Sequence, residues 1–226
     1  MDRLKVVSLS KLKRLPWWLL IIFLVATACG YYIVFFKVMG NFREVVPQKI
    51  YRSGQPSPAL LKEWVKRYKI KTVLNLRGYE QKAIAIEEAV ARELGLKMIS
   101  MNISSHRLPA RHILLYLIKH IETIELPMLI HCYSGVDRAG TASALAAMAR
   151  GNVDYDEAKW QAYVPPGPWK RRKYNNRRYF QYYAHISDVF KLYEGYCKRN
   201  NLDTNDWQRL KQWVVNTESL PEVEPR

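Results

Sequence analysis

Residues 127–150 constrain the fold more tightly than any other stretch. The apolar run Pro127-Met128-Leu129-Ile130 passes directly into His131-Cys132-Tyr133-Ser134-Gly135-Val136-Asp137-Arg138, and that into Ala139-Gly140-Thr141-Ala142-Ser143-Ala144-Leu145. A short apolar run closed by a polar loop reads as a buried strand, and the alanine-rich run to Arg150 reads as a helix slim enough to pack closely. The junction is therefore strand, tight loop, helix. In such a junction the loop N–H groups and the helix N-terminus can converge into an anion cradle. Arg138, separated from Cys132 by five residues, can grip two phosphate oxygens bidentately. Cys132 in that positive environment is expected to serve as a nucleophile. The pattern suits attack on a phosphate monoester; the plainer alternative is a buried structural cysteine beside an arginine.

The segment His131 to Gly140 resembles the signature loop of the cysteine-dependent protein tyrosine phosphatase superfamily, nearer its compact dual-specificity branch. Ile50-Tyr51-Arg52-Ser53-Gly54-Gln55-Pro56 and Lys71-Thr72-Val73-Leu74-Asn75-Leu76-Arg77 look like the opening strands of small bacterial and fungal members. The likeness covers residues 43 to 160. It implies Cys132 as nucleophile, Arg138 as phosphate clamp, and the backbone of Tyr133, Ser134, Gly135, Val136 and Ala139 as cradle, with His131 supporting the loop. It implies a phosphocysteine intermediate hydrolysed by water, with no metal and no cofactor.

Two positions depart from the family pattern. The residue after the arginine, commonly Ser or Thr, is Ala139, and Thr141 stands two positions later. The segment Asn102 to Leu108 lacks the aspartic acid that usually protonates the leaving oxygen. His106 is the nearest titratable replacement, and Asp137 within the loop is the other, with a loop-shaping role as its alternative. These departures motivate an alternative from a different class, a weakly active or inactive phosphate-binding module, beside the leading reading of a membrane-anchored phosphatase.

Elsewhere the pattern alternates. Strands are expected at Lys49–Arg52, Ile70–Leu76, Leu96–Ile103 and Pro127–Cys132, and helices at Ala59–Tyr68, Glu80–Leu94, Pro109–Ile124, Ala139–Arg150 and Asp154–Tyr163. Such alternation predicts an α/β domain, a mostly parallel central sheet flanked by helices, over 41–164. Ligands of these sheets bind outside the carboxyl ends of the strands, where the Cys132 loop falls. A basic and aromatic extension follows over 165–217, with Lys170-Arg171-Arg172-Lys173, Arg177-Arg178 and a last helix at Asp206–Val215; 218–226 is a tail.

The N-terminus carries a different signal. A basic segment, 1–14, precedes Pro16 to Phe36, twenty-one residues without a charge. At about 1.5 Å each these reach roughly 30 Å, a bilayer's hydrocarbon thickness. A transmembrane helix over 15–38 is the expectation, single-pass with the N-terminus cytoplasmic; a signal peptide cleaved near Ala26-Thr27-Ala28 is the alternative. The formal charge of +16 points to anionic partners: a membrane, and a phosphorylated protein or phospholipid substrate. Nucleic acid is set aside, because no helix-turn-helix, zinc-finger or aromatic RNA-binding pattern is present. Cys29, Cys132 and Cys197 make neither a disulfide framework nor a metal site.

Overall fold

The computed structural model describes residues 16–34, 38–78, 81–163 and 185–220. The chain divides at Val38 into two compact units. The first contains α1, Trp17–Ile33. Pro16, extended and without an N–H to donate, starts this helix, and it runs only 17 residues. That is about 25 Å at 1.5 Å per residue, against the ~20 residues that a bilayer requires. The expected transmembrane helix over 15–38 is thereby overturned: no helix among the described residues is long and apolar enough to cross a membrane. The basic segment 1–14 lies outside the described residues.

The second unit is built on β1 (Arg43–Val46), β2 (Ile50–Ser53), β3 (Thr72–Asn75), β4 (Lys97–Ser100) and β5 (Met128–His131). The sheet order is β1-β2-β5-β3-β4. Strand β5 lies centrally, parallel to β2 and β3, and β3 is parallel to β4. Only β1 is antiparallel, joined to β2 by a hairpin. This edge strand was not expected, because Arg-Glu-Val-Val has two charges and too short an alternation to register. Strands β3, β4 and β5 fall within their expected ranges, β2 is shifted one residue from the expected Lys49–Arg52 to Ile50–Ser53, and the parallel character holds.

Side-chain alternation sorts the strands into two layers. Tyr51, Val73 and Leu129 pack with Leu61, Trp64 and Val90 of α2 (Pro58–Tyr68) and α3 (Gln81–Glu93). On the other face Ile50, Leu74, Met128, Ile130 and Cys132 pack against α4 (Arg111–Thr123) and α5 (Asp137–Arg150). Helix α2 begins where Ser57 Oγ accepts the Leu60 N–H and Pro58 occupies the first turn, and it ends at Lys69 in the left-handed region. Helix α5 is buried along most of its length, which its small residues permit.

Helices α6 (Tyr155–Tyr163), α7 (Asp188–Arg199) and α8 (Trp207–Asn216) complete the unit. Phe190, Tyr193, Leu210 and Trp213 join the same core as α4 and α5. Tyr155 Oη donates to Phe190 O at 2.7 Å, and Trp207 Nε1 and Lys211 Nζ both donate to Glu122 Oε1 of α4 at 2.8 Å. The last helix was expected at Asp206–Val215; Asp206 is its cap, accepting the Arg209 N–H. The basic run Lys170 to Arg178 and the end of the tail, 221–226, lie outside the described residues.

Candidate active site

Strand β5 ends at His131, and Cys132 follows it, 2% exposed, at the carboxyl end of the central strand. The loop then turns back on itself at Gly135, whose φ is +71°. A Cβ there would stand 2.6 Å from Ser53 O, so only glycine fits. Three successive loop carbonyls, those of Tyr133, Ser134 and Gly135, are engaged by the chain on the β2 side. Tyr133 O accepts the Gln55 N–H at 3.1 Å. Asn41 Nδ2 donates to Ser134 O at 2.8 Å and to Gly135 O at 3.3 Å. In a trans peptide the C=O and the next N–H point in opposite directions. The N–H groups of Ser134, Gly135 and Val136 are therefore turned to the opposite, concave side, beside the start of α5. Val136 is buried, while Tyr133 and Ser134 are exposed.

Alternation along β5 sends His131 to the α3 layer and Cys132 to the α5 layer. The His131 ring is fully buried, with Nε2 2.8 Å from Glu87 Oε1. Glu87 Oε2 accepts from Gln55 Nε2 at 2.8 Å, and Gln55 Oε1 accepts from Arg77 Nη1 at 2.8 Å. The Arg77 guanidinium lies 4.9 Å from the Tyr133 ring centroid, within cation–π range. A continuous polar chain thus runs from the exposed ring beside Cys132 to the histidine behind it. Burial pushes the Glu87 carboxyl up, but the bond and charge of His131, then Gln55 and Arg77, hold it below the usual carboxylate range.

Arg138, in the first turn of α5, donates from Nη1 to Leu76 O at 3.1 Å and Ile103 O at 3.3 Å. These bonds fix the side chain between the ends of β3 and β4. They also fasten the arginine to the loop that carries His106, which is exposed three residues beyond Ile103. Asp137 lies 3.1 Å (Oδ1) from His185 Nε2, so its carboxylate is engaged at the α7 side. Ala139 is fully buried in the first turn, and the buried Thr141 Oγ1 has no hydrogen-bond partner.

Arg52 was not anticipated as a site residue. It is 1% exposed on β2, on the same face as Ile130, its register partner, and Cys132. Its Nη1 donates to Gln161 O at 2.6 Å and Gln161 Oε1 at 3.1 Å, at the C-terminal turn of α6. Its Nε is buried without a partner. Burial lowers its pKa to about 10, Arg43 adds to the lowering, and Cys132 acts in the opposite sense.

Sequence reading also missed Asn41, Gln55, Arg77 and Glu87. For Glu87 a signal existed: it shares a helical stripe with Ile84, Val90 and Ala91, all buried, and an acid on a core-facing stripe must have a partner. Arg52 within the buried run Ile-Tyr-Arg-Ser is a second such signal. Asn41 and Gln55 carried none, since long-range contacts alone define their roles. Among the described residues no group of three or more His, Cys, Asp or Glu could hold a metal ion.

A cysteine at the carboxyl end of a central parallel strand, in a glycine-hinged loop backed by a helix and an arginine, defines the class of cysteine-dependent phosphatases. The model of the family described as DSP-PTPase phosphatase fused to NAD+ kinase matches residues 40–165, and the chain belongs to that family. It is a phosphoric monoester hydrolase of the tyrosine and dual-specificity phosphatase type. Similar solved structures include the core catalytic domain of the PP-IP phosphatase SIW14 from S. cerevisiae, with 22% identity, TM-score 0.49 and coverage of 71% of this chain and 93% of that one. A variant of P. aeruginosa TpbA in complex with pTyr is 16% identical, with TM-score 0.43 and coverage of 75% and 88% respectively. Comparison with curated proteins gives no match.

Proposed function

We propose that the chain hydrolyses aryl phosphomonoesters, phosphotyrosine side chains above all, through a phosphocysteine intermediate. Cys132 Sγ attacks phosphorus while the bond from phosphorus to the leaving oxygen breaks. The Ser134, Gly135 and Val136 amides and Arg138 hold the equatorial oxygens. Water then attacks phosphorus, the S–P bond breaks, and inorganic phosphate leaves. His106 delivers the proton to the leaving oxygen, because Asp137 is engaged by His185 and the His106 loop is tied to Arg138 through Ile103.

The observation that carries the reading is the orientation of the loop, whose Tyr133, Ser134 and Gly135 carbonyls are bound on the side away from their amides. The aryl preference rests on Tyr133, 64% exposed beside Cys132 with its ring held by Arg77, a surface on which a substrate ring can stack. Hydrolysis of a generic aryl phosphate by wild type and Cys132→Ser tests it, together with acid-quench trapping of phosphorylated enzyme. Wild type turns over and is trapped as phosphocysteine; Cys132→Ser does neither. Equal activity in both, or binding of inorganic phosphate by a wild type that hydrolyses nothing, overturns the proposal, the second outcome in favour of a binding module.

A further inference from the structure

The proposed mechanism leaves one buried charge without a task. Arg52 sits inside the sheet–helix core with no acidic partner among the described residues, bonded only to a carbonyl and an amide oxygen. A guanidinium desolvated in this way is costly unless an anion stands near it. Its surroundings narrow the choice of anion. A Cβ on Gly140, in the first turn of α5, would lie 3.4 Å from Arg52 Nη1, so the guanidinium lies against the N-terminal end of that helix. A cation beside a helix N-terminus is disfavoured, whereas an anion there is favoured. The α6 C-terminal carbonyl that Arg52 caps offsets part of the cost. Strand register places Cys132 next along the same face, one step beyond the Arg52–Ile130 pair.

We propose that Arg52 is the buried counter-charge of the Cys132 thiolate, a positioning residue that acts on the nucleophile from beneath the loop. The proposal rests on Cys132 being the nucleophile. It adds a second cation, on the opposite side of Cys132 from the substrate, to the one that grips phosphate. Among the described residues, Arg43 of β1 adds a like charge near Arg52, the His131–Glu87 pair lies on the other face of the sheet, Asp137 and Arg138 open α5, and the α6 contact is the neutral Gln161. None of the acids among them bonds to Arg52.

Alkylation by iodoacetamide reads the thiolate without requiring turnover. The rate at Cys132, identified by peptide mass spectrometry, is measured from pH 5 to 9 in wild type, Arg52→Met, Arg52→Gln and Arg52→Lys, each checked for folding by circular dichroism. In the neutral variants the rate at pH 6 falls by about tenfold or more, the effect of one close opposite charge, and rejoins wild type near pH 9. Arg52→Lys stays nearer wild type. Arg52→Gln keeps the comparison if Arg52→Met does not fold. A folded neutral variant with the wild-type profile overturns the proposal, and so does an equal fall in Arg52→Lys, which would assign the effect to shape. Aryl phosphate hydrolysis by wild type and Cys132→Ser, run beside it, reports separately on the nucleophile assignment.

Discussion

Replacing Glu87 tests whether the histidine behind the nucleophile is held from the α3 layer. Its carboxylate is 4% exposed, 2.8 Å from His131 Nε2, and accepts a 2.8 Å bond from Gln55. Glu87→Ala removes one partner of a buried pair and leaves the His131 nitrogen desolvated and alone, which costs about 3–5 kcal/mol. Glu87→Gln keeps an acceptor for Gln55 and loses only the charge, so about 1–3 kcal/mol is expected. Urea titrations at pH 7 give these differences as shifts in midpoint at constant slope. The pH dependence carries a sign. The folded-state carboxyl is held below its ordinary value of 4.5, so its stabilisation is fully present above that value and is lost as pH falls through the lower folded one. The gap between wild type and Glu87→Gln therefore closes on acidification below pH 4.5. In turnover, Glu87→Gln lowers kcat more than it raises KM, because the phosphate-binding amides are untouched. A stability gap that stays constant from pH 7 to pH 3, with unchanged kcat, refutes the reasoning.

Gly135→Ala forces a side chain into Ser53 O and a left-handed φ on alanine; loss of about 1–3 kcal/mol and of phosphate binding is expected, measured by thermal unfolding and calorimetry with inorganic phosphate. His106→Ala lowers kcat about 10²-fold or more for esters with poor leaving groups and much less for nitrophenyl phosphate, whereas Asp137→Asn shows no such leaving-group dependence. The reverse pattern moves the proton donor to Asp137.

The parallel sheet and its helices were legible because fully buried strands such as Met128–His131 and Thr72–Asn75 read as short apolar runs between helical periods. The loop was legible because Cys132, Gly135 and Arg138 are local to one another in sequence. What surrounds the loop was not. Asn41 reaches Ser134 across 93 positions and Arg52 reaches Gln161 across 109; periodicity carries no information at that range. The N-terminal apolar run misled for a different reason: of its 21 uncharged residues, 17 stand in the described helix.

The alternation that separates His131 from Cys132 has a further consequence. Two residues joined by one peptide bond answer to different helix layers, one through Glu87 and the other through the packing of α5. A one-residue slip or insertion in β5 would exchange them, pointing the cysteine at a buried carboxylate and the imidazole at the helix start. The strand's register is thus itself a chemical specification, and an error of one step abolishes the site instead of weakening it.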